Sequence, residues 1–170
     1  MRKILTLLFG LMISSISVAS DGFTDKGAFG YTLGEHLDFE KAQKSNKANK
    51  IKITKQEKSI LFSSKTGFHD FDQYYVASTP RTNTIFKIGA MEQTKNNQEC
   101  MSERKLLIDY FENLYKFEHK KIPMKESYIA KDVIIGKNIS VTVVCNISTN
   151  RVVIEFSNLA TSRLQWSESK

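Results

Sequence analysis

Apolar and polar residues alternate most regularly near the C-terminus. Ile139, Val141, Val143, Cys145 and Ile147 fall on one side of an extended segment. Ser140, Thr142 and Asn146 fall on the other, with Val144 the one exception. Ser148-Thr149-Asn150 turns the chain, and Val152, Ile154 and Phe156 then alternate with Arg151, Glu155 and Ser157. A period of two with one wet face predicts an antiparallel hairpin. Asn158 is placed to cap a last short helix over Leu159–Trp166.

A different period governs the segment from about Gln98 to His119. Cys100, Leu107, Tyr110, Phe111, Leu114 and Phe117 follow one helical stripe, while Glu103, Lys105, Asp109, Glu112, Lys116 and Lys120 lie largely elsewhere. Asn96 or Asn97 can cap the first amides, Glu99 stands three residues after Asn96, and Pro123 ends the run. Phe71 to Ser78 and Thr84 to Met91 are rich in aromatic and β-branched residues and read as strands around the turn Thr79-Pro80-Arg81-Thr82-Asn83. Ile51-Lys52-Ile53 and Ser59-Ile60-Leu61-Phe62 read as shorter strands. Phe29 to Leu33 reads as a short pairing segment, followed by a turn into a helical stub at Gly34 to Phe39. Lys41 to Lys50 offers only alanine as an apolar residue and is expected to be a solvated loop or frayed helix end. The resulting class is α+β, an antiparallel sheet of hairpins packed against one long helix.

The N-terminus follows neither period. Arg2 and Lys3 precede an apolar run from Ile4 to Ile13, and small polar residues lead to Ser17-Val18-Ala19-Ser20. This charge, apolar and small layout predicts a signal peptide over residues 1–19, cut after Ala19 or Ser20, and a single domain over 20–170. An uncleaved anchor is the competing reading. No later apolar stretch approaches the ~20 residues of a membrane helix. Work in the periplasm, or secretion, follows as the expectation.

Export changes how the two cysteines are read. A lone pair in an oxidising compartment is most simply a disulfide, with two buried free thiols as the alternative. Cys100 lies on the apolar stripe of the long helix and Cys145 on the apolar face of a strand, so two independent periodicities turn both sulfurs inward. Closing roughly 45 residues contributes about 4 kcal/mol in the chain-entropy model.

The net charge of +7 is local. Lys41, Lys44, Lys47, Lys50, Lys52, Lys55, Lys58 and Lys65 face one acid, Glu57, across 41–65, and the rest of the mature chain sums to −2. A lysine-rich loop at 41–58 therefore forms a candidate docking patch for an acidic protein or an anionic envelope polymer, against the plainer reading of a solvated loop. Aromatic residues for stacking on bases are missing between Lys41 and Lys58, and nucleic acid is not an expected partner.

Catalytic signatures are lacking: no G-x-S-x-G, H-E-x-x-H, C-x-x-C or phosphate-binding glycine loop occurs. His69-Asp70-Phe71-Asp72 is the one cluster with metal-ligating types. It sits at an expected strand start after Thr66-Gly67-Phe68, where a turn is the simpler reading. His119 is placed at the carbonyl end of the long helix, suited to its dipole, and His36 lies near Glu35 and Asp38. No catalytic residue, metal site or cofactor is assigned.

Phe29-Gly30-Tyr31-Thr32-Leu33-Gly34, Tyr74-Tyr75-Val76 and Thr79-Pro80-Arg81-Thr82-Asn83-Thr84-Ile85-Phe86-Lys87-Ile88 carry a resemblance. So do a cysteine opening a long helix and a second in a late strand. In these features the chain resembles a loose group of small exported proteins of Gram-negative bacteria. The resemblance implies a compact periplasmic α+β domain with one disulfide and transfers no catalytic residue; the lysine run departs from it. The expected function is a periplasmic, non-enzymatic protein-binding module, an inhibitor or immunity-type protein acting on a toxin or cell-wall enzyme. The alternatives are an envelope adaptor that binds peptidoglycan or anionic lipid head groups through the lysines, and an enzyme with a site near His69, Asp70 and Asp72.

Overall fold

A computed structural model describes residues 23–46, 50–62, 71–115, 118–122, 129–135 and 138–170. The expected signal segment lies outside these residues, as do Lys47, His69, Asp70, Phe117 and Pro123. The described chain opens with a tight hairpin, β1 (Gly27–Ala28) and β2 (Tyr31–Thr32). Phe29 and Gly30 between them have φ of 54° and 83°, the primed-turn geometry whose twist matches that of paired strands.

Helix α1 (Phe39–Asn46) follows. Of the two readings of Lys41 to Lys50, solvated loop or frayed helix end, residues 41–46 are helical, which corrects the lysine-rich loop expected over 41–58 there. Asp38 caps it, its Oδ1 accepting the Lys41 N–H at 3.0 Å and its carbonyl accepting the Ala42 N–H at 2.9 Å. Ala42 suffices because a small side chain lets the helix approach closely: it is buried in the core, with Phe39 packed beside it. Further along the lysine-rich segment, Lys50–Ile53 form β3 and Lys58 opens β4 (Lys58–Phe62).

β5 (Gln73–Ser78) and β6 (Ile85–Gln93) form the expected hairpin, and Asn83 takes the positive φ, 54°, that its turn requires. Helix α2 (Asn97–Tyr115) is capped by Asn96, whose Oδ1 accepts the Glu99 N–H at 2.9 Å. The helix stops four residues before His119. That histidine lies in β7 (Glu118–Ile122), paired with Ile134 of β8 (Ile129–Ile135), so the helix-dipole role assigned to it is wrong. Leu114 is also not part of the buried stripe, being 38% exposed. Ile108 is buried instead, and in the last turn Tyr115 stacks on Phe111 and donates its hydroxyl to the Thr24 carbonyl at 3.1 Å. β9 (Ser140–Asn146), β10 (Arg151–Ser157) and α3 (Leu159–Glu168) complete the chain close to expectation. Asn158 caps α3 through the Thr161 N–H at 2.8 Å.

Among the described residues eight strands form one antiparallel sheet in the order β3-β4-β5-β6-β10-β9-β8-β7. Two four-stranded meanders, each preceded by a helix, therefore meet along β6 and β10, which pair from Arg151↔Gln93 to Ser157↔Lys87. One face of this sheet is the core. Helix α1 packs over β4, the β1–β2 hairpin over β6 and β10, and α2 over β8, β9 and β10. An aromatic cluster fills the space between: Phe23 lies 5.2 Å from Phe111 and 5.4 Å from Phe156, and Phe29 lies 4.9 Å from Tyr74, centroid to centroid. The class is α+β as expected: among the described residues α2 is the long helix, with the shorter α1 and α3 beside it.

The disulfide joins Cys100 in the first turn of α2 to Cys145 in β9, with 5.8 Å between Cα atoms. It fixes the helix across the core face. At the far end, Glu168 ties α3 to the β5–β6 turn. Its Oε2 accepts the N–H groups of Arg81 and Thr82 at 2.9 and 3.0 Å, and its Oε1 accepts the Thr82 hydroxyl at 2.6 Å. Burial pushes this carboxyl up. The hydrogen bonds from the Thr82 hydroxyl, the two amides and the Thr79 hydroxyl outweigh that and hold its pKa below the ordinary value.

Candidate binding face on the open side of the sheet

Alternation sends every second side chain of the inner strands away from the core. Helix α1, the β1–β2 hairpin and α2 pack on the opposite, core side, and α3 packs against β6. Register aligns one row across it: Lys50 of β3, Leu61 of β4, Tyr75 of β5, Gly89 of β6, Glu155 of β10 and Thr142 of β9. Gly89 is the key to the row. A Cβ there would come within 2.4 Å of Tyr75 Cζ and 2.6 Å of the Ile154 carbonyl oxygen. The tyrosine ring therefore occupies the space a side chain would need, and crosses β6 to reach β10.

At the end of that reach the Tyr75 hydroxyl donates to Glu155 Oε1 at 2.5 Å. Lys87 Nζ stands 3.6 Å from the same oxygen. Burial pushes the Tyr75 pKa well above its usual value, and the Glu155 charge, the hydrogen bond to it and the Glu57 charge push in the same direction. Tyr75 is thus held neutral, a donor whose proton the neighbouring carboxylate keeps in place. The ammonium of Lys87 offsets the charge of Glu155.

Around this centre lies a groove of about 390 Å³. Leu61 and Met91 supply apolar surface, Gln73 and Ser59 supply hydrogen-bonding groups, and Lys50, Lys52 and Arg151 stand with Lys87 against Glu57 and Glu155. Arg151 reaches Gln93 Oε1 at 3.4 Å with Nη2 and the Met91 sulfur at 3.9 Å with Nη1. Since Lys87 and Glu155 satisfy one another, the groove keeps a surplus of positive charge at its rim. Its chemistry suits a surface that is partly apolar and partly acidic.

The lysines read from the sequence as one patch are divided by the fold. Lys50 and Lys52 line the groove. Lys41 and Lys44 are exposed on α1, on the helix-covered side, and Lys55 is exposed in the β3–β4 turn. Lys58 donates to Asn83 Oδ1 at 2.7 Å and so supports the neighbouring turn. A second cleft of about 410 Å³ lies between the β1–β2 hairpin and α1, lined by Glu35, His36, Asp38 and Lys41. Two of its polar groups are engaged in the fold: Asp38 caps α1, and His36 Nδ1 lies 3.1 Å from the Thr82 carbonyl oxygen.

Of the ligating residues in the metal-type cluster, only Asp72 belongs to the described residues, and its Oδ2 accepts the Gln93 N–H at 2.6 Å. Among the described residues no three His, Cys, Asp or Glu side chains gather to hold a metal ion. No helix there is long and apolar enough to cross a membrane. Alternation along the sequence puts Arg151 and Glu155 on a wet strand face, but it does not mark Tyr75, Gly89, Lys87 and Met91 as their neighbours. Their common signal, outward parity on adjacent strands, can be read only once the strand order is known. Comparison of the chain with protein-family models, with curated proteins and with solved structures gives no match.

Proposed function

We propose that the chain is an exported, non-enzymatic protein-binding module that engages another protein through the open face of its sheet. The inhibitor or immunity type, blocking a toxin or cell-wall enzyme, is its most concrete form. One observation carries the reading: a solvent-open groove with an anchored Tyr75–Glu155–Lys87 centre, apolar Leu61 and Met91, and unspent cations Lys50, Lys52 and Arg151 at its rim. Aromatic and arginine side chains set among polar groups are the residue types that supply most affinity at protein interfaces. The layout of the first twenty residues and the Cys100–Cys145 bond both fit work in an oxidising compartment.

The test is capture from a periplasmic extract with the parent protein and with a variant carrying Lys50→Gln, Lys52→Gln, Lys87→Gln and Arg151→Gln. A protein retained by the parent and lost from the variant, at unchanged melting, is the expected result. An identical retained set from both would remove the open face from consideration. Retention of peptidoglycan or anionic lipid in place of a protein would favour the envelope-adaptor reading.

A further inference from the structure

The first strand of the large sheet ends that sheet, and its sequence is regular: Lys50, Ile51, Lys52, Ile53. Among the described residues no strand pairs with its outer side. The backbone of the β3–β4 turn shows which groups point there. The Thr54 N–H donates to the Glu57 carbonyl at 2.8 Å, making Thr54 and Glu57 a hydrogen-bonded pair. In an antiparallel ladder bonded and non-bonded pairs alternate. Lys52↔Ser59 and Lys50↔Leu61 are then the bonded pairs, while Ile53↔Lys58 and Ile51↔Ile60 are not. Ile51 and Ile53 therefore turn their N–H and C=O groups away from β4, toward the open edge.

Side chains on the same strand sort just as sharply. Lys50 and Lys52 stand on the groove side, both exposed. On the other side Ile51 packs against the margin of the core, and Ile53 is 70% exposed, the largest value among the exposed large apolar side chains. A strand laid along this edge would find two lysines on one face and two isoleucines on the other. Opposite charges directly across a pair of strands attract and like charges repel. A second copy of β3 paired antiparallel would set lysine against lysine, which disfavours self-association through this edge.

We propose that β3 is a docking edge that takes up an extended segment of the partner protein as a ninth strand, and that this segment alternates acidic and apolar residues. Its backbone would use the outward groups of Ile51 and Ile53. Its acids would face Lys50 and Lys52 at the rim of the groove, and its apolar residues would cover Ile53. The inference rests on the protein-binding reading and names how and by what the partner is gripped.

The probe is a labelled, end-blocked hexapeptide alternating glutamate and valine, with its lysine–valine counterpart as control, titrated against the whole protein at low ionic strength. Saturable binding of the acidic peptide is expected, with the basic one roughly tenfold weaker or more, and with slowed amide exchange at Ile51 and Ile53. Ile51→Pro deletes an outward N–H at a sheet edge, where proline is tolerated, and should abolish binding at unchanged melting. Should that variant not fold, Lys50→Glu with Lys52→Glu keeps the backbone and must reverse the preference toward the basic peptide. Equal binding of both peptides, protection elsewhere than β3, or a preference untouched by the double reversal overturns the proposal, as does dimerisation through this edge. Capture by the open face with no peptide binding would remove the docking edge alone. Peptide binding by the parent, with capture unchanged in a Lys87→Gln with Arg151→Gln variant whose altered cations line the groove away from β3, would remove the groove alone.

Discussion

On one side of the sheet Val141, Val143, Cys145, Val152, Ile154 and Phe156 are closed to solvent. One residue along the same strands, Thr142, Val144 and Glu155 are only half-buried and Arg151 is exposed. The core side is covered by α1, the β1–β2 hairpin and α2, and gains its stability from area removed from water. The other side mixes apolar residues such as Leu61 and Met91 with polar ones arranged across strands that are distant in sequence. On the proposed binding reading, stability and recognition belong to opposite faces of one layer, and substitutions on the two faces should move different observables.

The largest effect belongs to the aromatic cluster. Phe156 meets Phe23, Phe29 and Phe111 at 5.4, 5.9 and 5.5 Å. Phe156→Ala should lower the unfolding free energy by about 3–5 kcal/mol, read from denaturant melts. Loss of the Cys100–Cys145 bond through Cys145→Ala should cost about 2–5 kcal/mol. Native, unreduced protein should show no alkylatable thiol, and a reactive pair would contradict the bond.

The next two changes sharpen the contrast between the faces. Gly89→Ala sets a methyl group against the Tyr75 ring and the Ile154 carbonyl. A loss of about 1–3 kcal/mol is expected, together with a fall in the raised tyrosine pKa as the ring leaves Glu155. That raised pKa contributes stability that is present below pH ~10 and lost as pH climbs through the folded-state value. Glu168→Gln removes the charge from a site that three backbone and hydroxyl groups of Arg81 and Thr82 address. It should cost about 1–2 kcal/mol. The sign is opposite to that of Tyr75: with a depressed carboxyl pKa, the Glu168 contribution is present above pH ~4.3 and fades as pH falls through the lower folded value. An acid melt of Glu168→Gln lacking that component checks it.

What the amino-acid order revealed follows the same division. The β9–β10 hairpin was legible because Val141, Val143 and Cys145, and then Val152, Ile154 and Phe156, alternate without interruption. The disulfide was legible because each cysteine carried the period of its own element. The β7–β8 pair was not, since Glu, His and Lys at 118–121 prolong a helical pattern and only pairing with Ile134 and its neighbours makes them a strand. The lysine run was visible as charge, but not its partition between α1, the groove, the β3–β4 turn and Asn83. The groove was least legible of all. Tyr75 and Glu155 stand 80 positions apart, and Gly89 becomes informative only when it is known to lie between them.

The smallest expected stability change carries the central claim, that recognition belongs to the open face. Exposed lysines contribute little to folding, about 0–1 kcal/mol each. The most direct measurement sets Lys50→Gln with Lys52→Gln against Lys41→Gln with Lys44→Gln, comparing melting temperature and affinity for the captured partner protein. Both pairs should melt like the parent, the groove pair should bind at least about tenfold more weakly, and the α1 pair should bind as the parent does. Equal binding by the groove pair and the parent, or a larger loss from the α1 pair, would contradict the account.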